Sequence, residues 1–266
     1  MSALDFRALL RAEREKRRGG STGVQSLSEV QSSLGAQSTK EDPPSTSVEV
    51  CPAQLSRLTR LADALGVATS LPAYPAGLRY YPGFLSEAQS EALLAHVISD
   101  SAGWHTLKHA QRRVKMVDAR DSKGVPGYIS TLFDALESTF PPDHPPNHVL
   151  INEYGALNGI MAHTDGPNYY PLTVTISLGS AAIVTFDERL SSHEIGMQMA
   201  QHIIDVLLEP GSALAFSDTY YSDMVHSIAE GRASATTGER TLNASPGCTF
   251  QTGYRVSLTI RHKLKI

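Results

Sequence analysis

Residues Arg255–Ile266 read RVSLTIRHKLKI, and the first seven alternate between polar and apolar side chains. That period of two puts Arg255, Ser257, Thr259 and Arg261 on one face of a β-strand and Val256, Leu258 and Ile260 on the other. The apolar face belongs to a core. The polar face belongs either to solvent or to a barrel interior, where two arginines would need anions to pair with. Related patterns recur upstream in HVLINEY from His148, LTVTISLGS from Leu172, AIVTFDE from Ala182 and IIDVLLEPGSALAFS from Ile203. Gly, Pro, Asn and Asp punctuate them, which gives about seven strands in the C-terminal half.

Two helices precede these strands. Ser86 is placed to cap the first, with Leu93, Leu94 and Val97 inward; Ile129, Leu132, Phe133 and Leu136 form the apolar stripe of the second. The expected fold is α+β but mainly β: a double-sheet jelly roll, or double-stranded β-helix, backed by N-terminal helices.

This domain is expected to span residues 72–266, with a lid region at about 102–125 and a long mobile loop at about 230–253. Upstream lie a basic helical tail (1–18, ending REKRR) and a linker (19–47) rich in Ser, Gly and Gln, too polar to offset its ordering entropy. A short amphipathic helix follows at 48–71, its face formed by Leu55, Leu58, Leu61 and Leu65. The tail is a candidate docking piece for a protein partner.

The 266 residues carry a net charge of −4 and two cysteines, Cys51 and Cys248, in unlike contexts. Neither a disulfide framework nor a Cys-x-x-Cys zinc site can be built from them. A reducing compartment, cytoplasmic or nuclear, is expected. No run approaches the ~20 apolar residues of a membrane span, and a monomer is expected. The acidic balance argues against tight, sequence-blind binding of duplex nucleic acid, so any such contact should be local.

The stretch GIMAHTDGPNYYP holds His163 and Asp165, which point to one side if the chain is extended. Alone, the pair is a polar turn as readily as a metal site. His226, in DMVHSIAE at the start of a further strand, would supply a third ligand. Two imidazoles and one carboxylate form the facial triad of non-haem Fe(II), while zinc ordinarily takes four ligands or three with a water. Asn152 and Tyr154 share one face of a strand just upstream and can donate hydrogen bonds to a dicarboxylate.

In order along the chain, Asn152-x-Tyr154, His163-x-Asp165, the distant His226 and Arg255-x5-Arg261 resemble the AlkB family of Fe(II)- and 2-oxoglutarate-dependent dioxygenases. The stretches DGPNYYPLTVTISLGS, LLEPGSALAF and YYPGFLSEAQ are most similar to its homologue-six branch. The resemblance covers about Leu78 to Ile266. It implies that His163, Asp165 and His226 bind Fe(II). It also implies that Asn152, Tyr154, Arg255, Ser257 and Arg261 serve the 2-oxoglutarate site, with O2 as the second cosubstrate.

The activity implied is hydroxylation or oxidative demethylation, with alkylated DNA or RNA as the expected substrate. The same chemistry on a protein or small molecule is one alternative, and a non-catalytic adaptor on this fold is another. Trp104, Arg112, Arg113 and Tyr170 are the candidate substrate contacts, by stacking on bases and pairing with phosphates. The chain has His226-Ser227-Ile228 where the family often has His-Gly-Ile.

Overall fold

The computed structural model describes residues 75–107, 112–121, 124–190 and 201–265. The tail, linker and short helix expected over residues 1–71 lie outside them. Strand β1 (Leu78–Tyr81) leads into helix α1 (Glu87–Ser99), then β2 (Trp104–Leu107), β3 (Arg112–Asp118) and helix α2 (Gly127–Leu136). The Ser86 side chain accepts from the Gln89 amide, and the Gln89 side chain accepts from the Ser86 amide, so a reciprocal capping box starts α1.

Next come β4 (His148–Tyr154), β5 (Ile160–His163), β6 (Tyr169–Gly179), β7 (Ala182–Glu188), β8 (His202–Leu208) and β9 (Ala213–Ser217). After the short helix α3 (Asp218–Ser222) follow β10 (Met224–Ile228), β11 (Ser234–Thr236), β12 (Thr249–Gln251) and β13 (Arg255–Lys263). A seven-stranded sheet has the order β1-β9-β6-β13-β4-β3-β2, and a four-stranded sheet has the order β5-β10-β7-β8. All the pairings are antiparallel. This is the expected jelly roll.

The alternation of β13 divides two cores. Val256, Leu258 and Ile260 join Val149, Ile151 and Val174 in one cluster with Leu93 and Val97 of α1 and Ile129 and Leu132 of α2. A second cluster fills the space between the sheets with Leu78, Tyr80, Val184, Phe186, Val206, Leu214 and Phe216. The polar face of β13 therefore looks into the sandwich. Arg255, Ser257 and Arg261 are each about 4% exposed or less, so the solvent alternative for that face falls.

Leu258 is fully buried on both flanks of the larger sheet's central strand. Leu258→Ala is expected to cost about 2–5 kcal/mol in urea unfolding. Met116→Ala, at a residue 62% exposed, should stay within about 0.5 kcal/mol.

The turn Glu209–Ser212 does not make a hairpin. Its strands belong to different sheets, and the chain crosses between layers there. The Ser212 amide donates to Glu209 O, with Pro210 and Gly211 (φ +77) in the middle, as a type II turn requires. A Cβ on Gly211 would lie 2.8 Å from Leu85 O.

The stretch 230–253, expected as a loop, instead carries the β11–β12 ribbon. The Thr237 hydroxyl donates to Ser245 O at 2.6 Å, tying the intervening chain down. Among the described residues no helix is long and apolar enough to cross a membrane.

Candidate metal centre

The four-stranded sheet brings the two histidines together by register. His163, the last residue of β5, sits directly across from His226, the third residue of β10. Their ring centroids are 4.3 Å apart. Gly159 makes this pairing possible: a Cβ there would lie 2.3 Å from Ile228 O, so only glycine lets the chain entering β5 lie against β10. Asp165 follows two residues later. One ligand atom from each of His163, Asp165 and His226 lies within 4.8 Å of the others.

The protonation states suit a divalent cation. Burial pushes the His226 imidazolium down to about 3, helped by neighbouring His163. Burial likewise lowers His163. The His163 Nδ1–H donates to Met161 O at 2.8 Å, because a carbonyl can only accept, and this leaves Nε2 with a free lone pair. Burial alone would raise Asp165, but the Arg261 charge and the Thr173 hydroxyl outweigh it and hold the carboxyl below its usual range. Two neutral imidazoles and one carboxylate are thus ready to coordinate.

Asp165 is fixed at both oxygens. Arg261 Nη1 donates to Oδ1 at 3.0 Å and Thr173 Oγ1 to Oδ2 at 2.5 Å. Arg261 also stacks 3.9 Å above the Tyr169 ring. Tyr221 donates to Gly166 O, steadying the turn after Asp165. Phe216 and Phe186 pack on the His226 ring at 5.1 and 5.9 Å, closing that side to water.

The second half of the site lies on the facing sheet. Ser257 is in register with Asn152 on one side and Ser177 on the other, and all three are buried. Arg255 donates to Ser177 Oγ at 2.9 Å and lies 5.2 Å over the Tyr154 ring, yet it has no carboxylate partner among the described residues. Its Nε and Asn152 Oδ1 are buried without hydrogen-bond partners. A cavity of about 170 Å³ opens beside Tyr154 and Arg255, with Thr185, Ile228 and Arg232 among its walls. A buried guanidinium with an unmet N–H, facing a small cavity, fits one end of a dicarboxylate.

The candidate substrate residues divide by strand parity. Arg113 pairs with Glu153, and Trp104 with Lys115, so both side chains stand on the helix side of the larger sheet. Trp104 packs against the helix-side core and donates to Asp100 O, while Arg113 is bound to Glu153 and lies over the Trp104 ring. Neither faces the metal cluster, which corrects their assignment as substrate contacts.

Tyr170 is likewise turned away: it stacks on His144 at 4.5 Å, and its neighbour Tyr169 takes the inward place. Of the four, Arg112 alone has the strand parity of Val114, which is in register with the inward-facing Asn152. Sequence reading missed Thr173, although it shares the parity of Thr175 and Ser177 in LTVTISL, the pattern that would have marked it.

The family profile of the 2OG-Fe(II) oxygenase superfamily matches residues 95–261. A relative from Danio rerio, named probable RNA/DNA demethylase ALKBH6, is 30% identical over 206 residues, which is 72% of this chain and 88% of that protein. Among solved structures, OsALKBH1 aligns with 71% of this chain and 100% of its own at 14% identity and a TM-score of 0.47. A Pseudomonas putida prolyl-4-hydroxylase aligns with 80% of this chain and 100% of its own at 11% identity and a TM-score of 0.46.

Proposed function

The chain belongs to the 2OG-Fe(II) oxygenase superfamily and within it to the AlkB family, and from that premise we propose that it oxidatively demethylates alkylated nucleic acid at the His163–Asp165–His226 centre. It is a 2-oxoglutarate-dependent dioxygenase that uses Fe(II) and O2. When bound, these groups supply oxidation of a substrate C–H bond, coupled to conversion of 2-oxoglutarate to succinate and CO2. A hydroxylated N-methyl group is then lost as formaldehyde.

The residues divide the work. His163, Asp165 and His226 hold the metal. Arg261 and Thr173 keep the Asp165 carboxylate ionised and in place. Arg255 pairs with the far carboxylate of 2-oxoglutarate, with Asn152 and Tyr154 beside it. Phe186 and Phe216 keep water from His226.

The observation that carries this reading is the coincidence, inside one sandwich, of a three-ligand cluster and a buried arginine without its anion. The substrate class is supported by the name of the Danio rerio relative. The test is succinate formation with methylated single-stranded DNA, methylated RNA and a methylated peptide pool. Stimulation by either nucleic acid and not by peptides is expected; stimulation by peptides alone would move the substrate to protein.

A further inference from the structure

The cavity beside Arg255 is continuous with the protein surface. Its walls run from buried Tyr154, Ala182 and Arg255 to exposed Gly155, Arg232 and Thr236. It enters at the end of the sandwich where β4 finishes, β13 begins and β6 turns into β7. His163, Asp165 and His226 are each partly exposed, yet none of them lines it. Solvent therefore reaches the metal cluster by a separate opening, and that opening is the one a substrate C–H bond needs.

The chain of the β11–β12 ribbon builds the rim. The Thr252 hydroxyl bridges Ala156 O and Arg232 O at 3.0 and 2.6 Å, and the Gly231 amide donates to Leu157 O at 2.8 Å. These bonds tie the ribbon to the turn after β4 and hold the Arg232 backbone in place. Arg232 enters no ion pair among the described residues. The carboxylate in the walls, Asp205, is already engaged by Thr185 Oγ1 at 2.7 Å and His202 Nε2 at 3.3 Å. One arginine at the rim and one at the inner end thus flank a narrow cleft, an arrangement that draws in a small anion and stops it at Arg255. Ala235, the middle residue of β11, lines the way with a side chain small enough to leave it open.

We propose that this cavity is the passage through which 2-oxoglutarate reaches Arg255, with Arg232 as the capturing cation at its rim, so that the cosubstrate loads while the other opening holds substrate. The inference rests on the pairing of Arg255 with 2-oxoglutarate. It goes beyond that pairing, because a site filled from the metal side would leave Arg232 and Ala235 without influence on the rate of filling.

The test is anaerobic stopped-flow absorbance with the full chain and Fe(II), which follows the iron-dependent band of bound 2-oxoglutarate without turnover. Ala235→Trp should plug the passage. Entry and exit then slow together, each by about 10-fold or more, while their ratio, the 2-oxoglutarate Kd, stays within about 3-fold. Loss of a contact to bound 2-oxoglutarate would instead raise the Kd through faster exit. Arg232→Glu should slow entry by about 10-fold at low salt and by less at high salt, because a rim charge acts on capture and is screened. Arg232→Lys, which keeps the charge, should restore the wild-type rate. Saturation with a methylated single-stranded oligonucleotide should leave entry unchanged.

Wild-type entry in Arg232→Glu at low salt overturns the proposal, even if thermal melting shows that Ala235→Trp fails to fold. So does wild-type entry in folded Ala235→Trp, or a block of entry by bound oligonucleotide. If the wild type with Fe(II) gives no band at millimolar 2-oxoglutarate, the cosubstrate reading falls and this inference falls with it. If the band forms and both variants load at the wild-type rate, only the passage falls.

Discussion

Asp165→Asn is expected to cut metal affinity at least about 100-fold and to abolish turnover while the protein remains folded. Asn keeps the shape of the side chain and an acceptor oxygen, but it removes the only negative charge in the three-ligand cluster. A divalent cation would then face two neutral imidazoles and an amide, with the buried Arg261 cation within hydrogen-bond reach of the same side chain. Calorimetry with Mn(II) should show affinity falling by at least about 100-fold, more than the roughly 10- to 100-fold typical of losing a partner that merely supports a ligand. Succinate production should fall to background.

Asp165→Ala goes further and also weakens the fold. Arg261, only about 5% exposed as a side chain, loses the one carboxylate it pairs with. Breaking a buried pair from one side costs about 3–5 kcal/mol. The two variants therefore separate the roles of Asp165: Asn tests the metal, and Ala tests metal and counter-ion together. Wild-type Mn(II) affinity in either would remove Asp165 from the metal site.

How far the sequence could be read depended on the range of the information each residue carries. Period two in RVSLTIR gave the two faces of β13 and hence the existence of an inner polar wall. It did not say that the wall was buried, because burial comes from β7, β8 and β10 in the other sheet. The strand β5 has four residues and no alternation, so His163 looked like part of a turn; its pairing with β10 is what places it opposite His226.

Errors arose where a residue's type was weighed before its parity. Trp104 and Arg113 are chemically suited to a nucleotide, yet both point to the helix layer; Tyr170 lost to Tyr169 for the same reason. The segments SAT and TFQ of the ribbon are too short and polar to carry a strand signal, and they exist because they pair with each other.

Arg255→Met is expected to weaken 2-oxoglutarate binding by about 100-fold or more and, with 2-oxoglutarate absent, to leave the protein as stable as before or more so. Ordinary loss of a core side chain does the reverse, and this makes the prediction discriminating. Arg255 is 4% exposed, donates to Ser177 Oγ and meets the Tyr154 side chain, and pairs with no carboxylate among the described residues. Burial presses its pKa down, the mark of a charge held away from water. Such a group is costly in the free protein, and a well-packed apolar side chain of similar size can replace it at no loss.

On the proposed assignment, the far carboxylate of 2-oxoglutarate would supply the missing anion, which a guanidinium can bind through two hydrogen bonds. Removing that partner should raise the 2-oxoglutarate KM by about 100-fold or more, the equivalent of the roughly 3–5 kcal/mol of a severed buried pair. Mn(II) affinity should change little, because Arg255 is not among the three ligands. Arg255→Lys keeps the charge but loses the planar fork and its stacking over Tyr154, so its KM should fall between the two. An unchanged KM in Arg255→Met would refute the pairing. A lowered melting temperature with unchanged KM would recast Arg255 as a structural cation held by Ser177 and the Tyr154 ring.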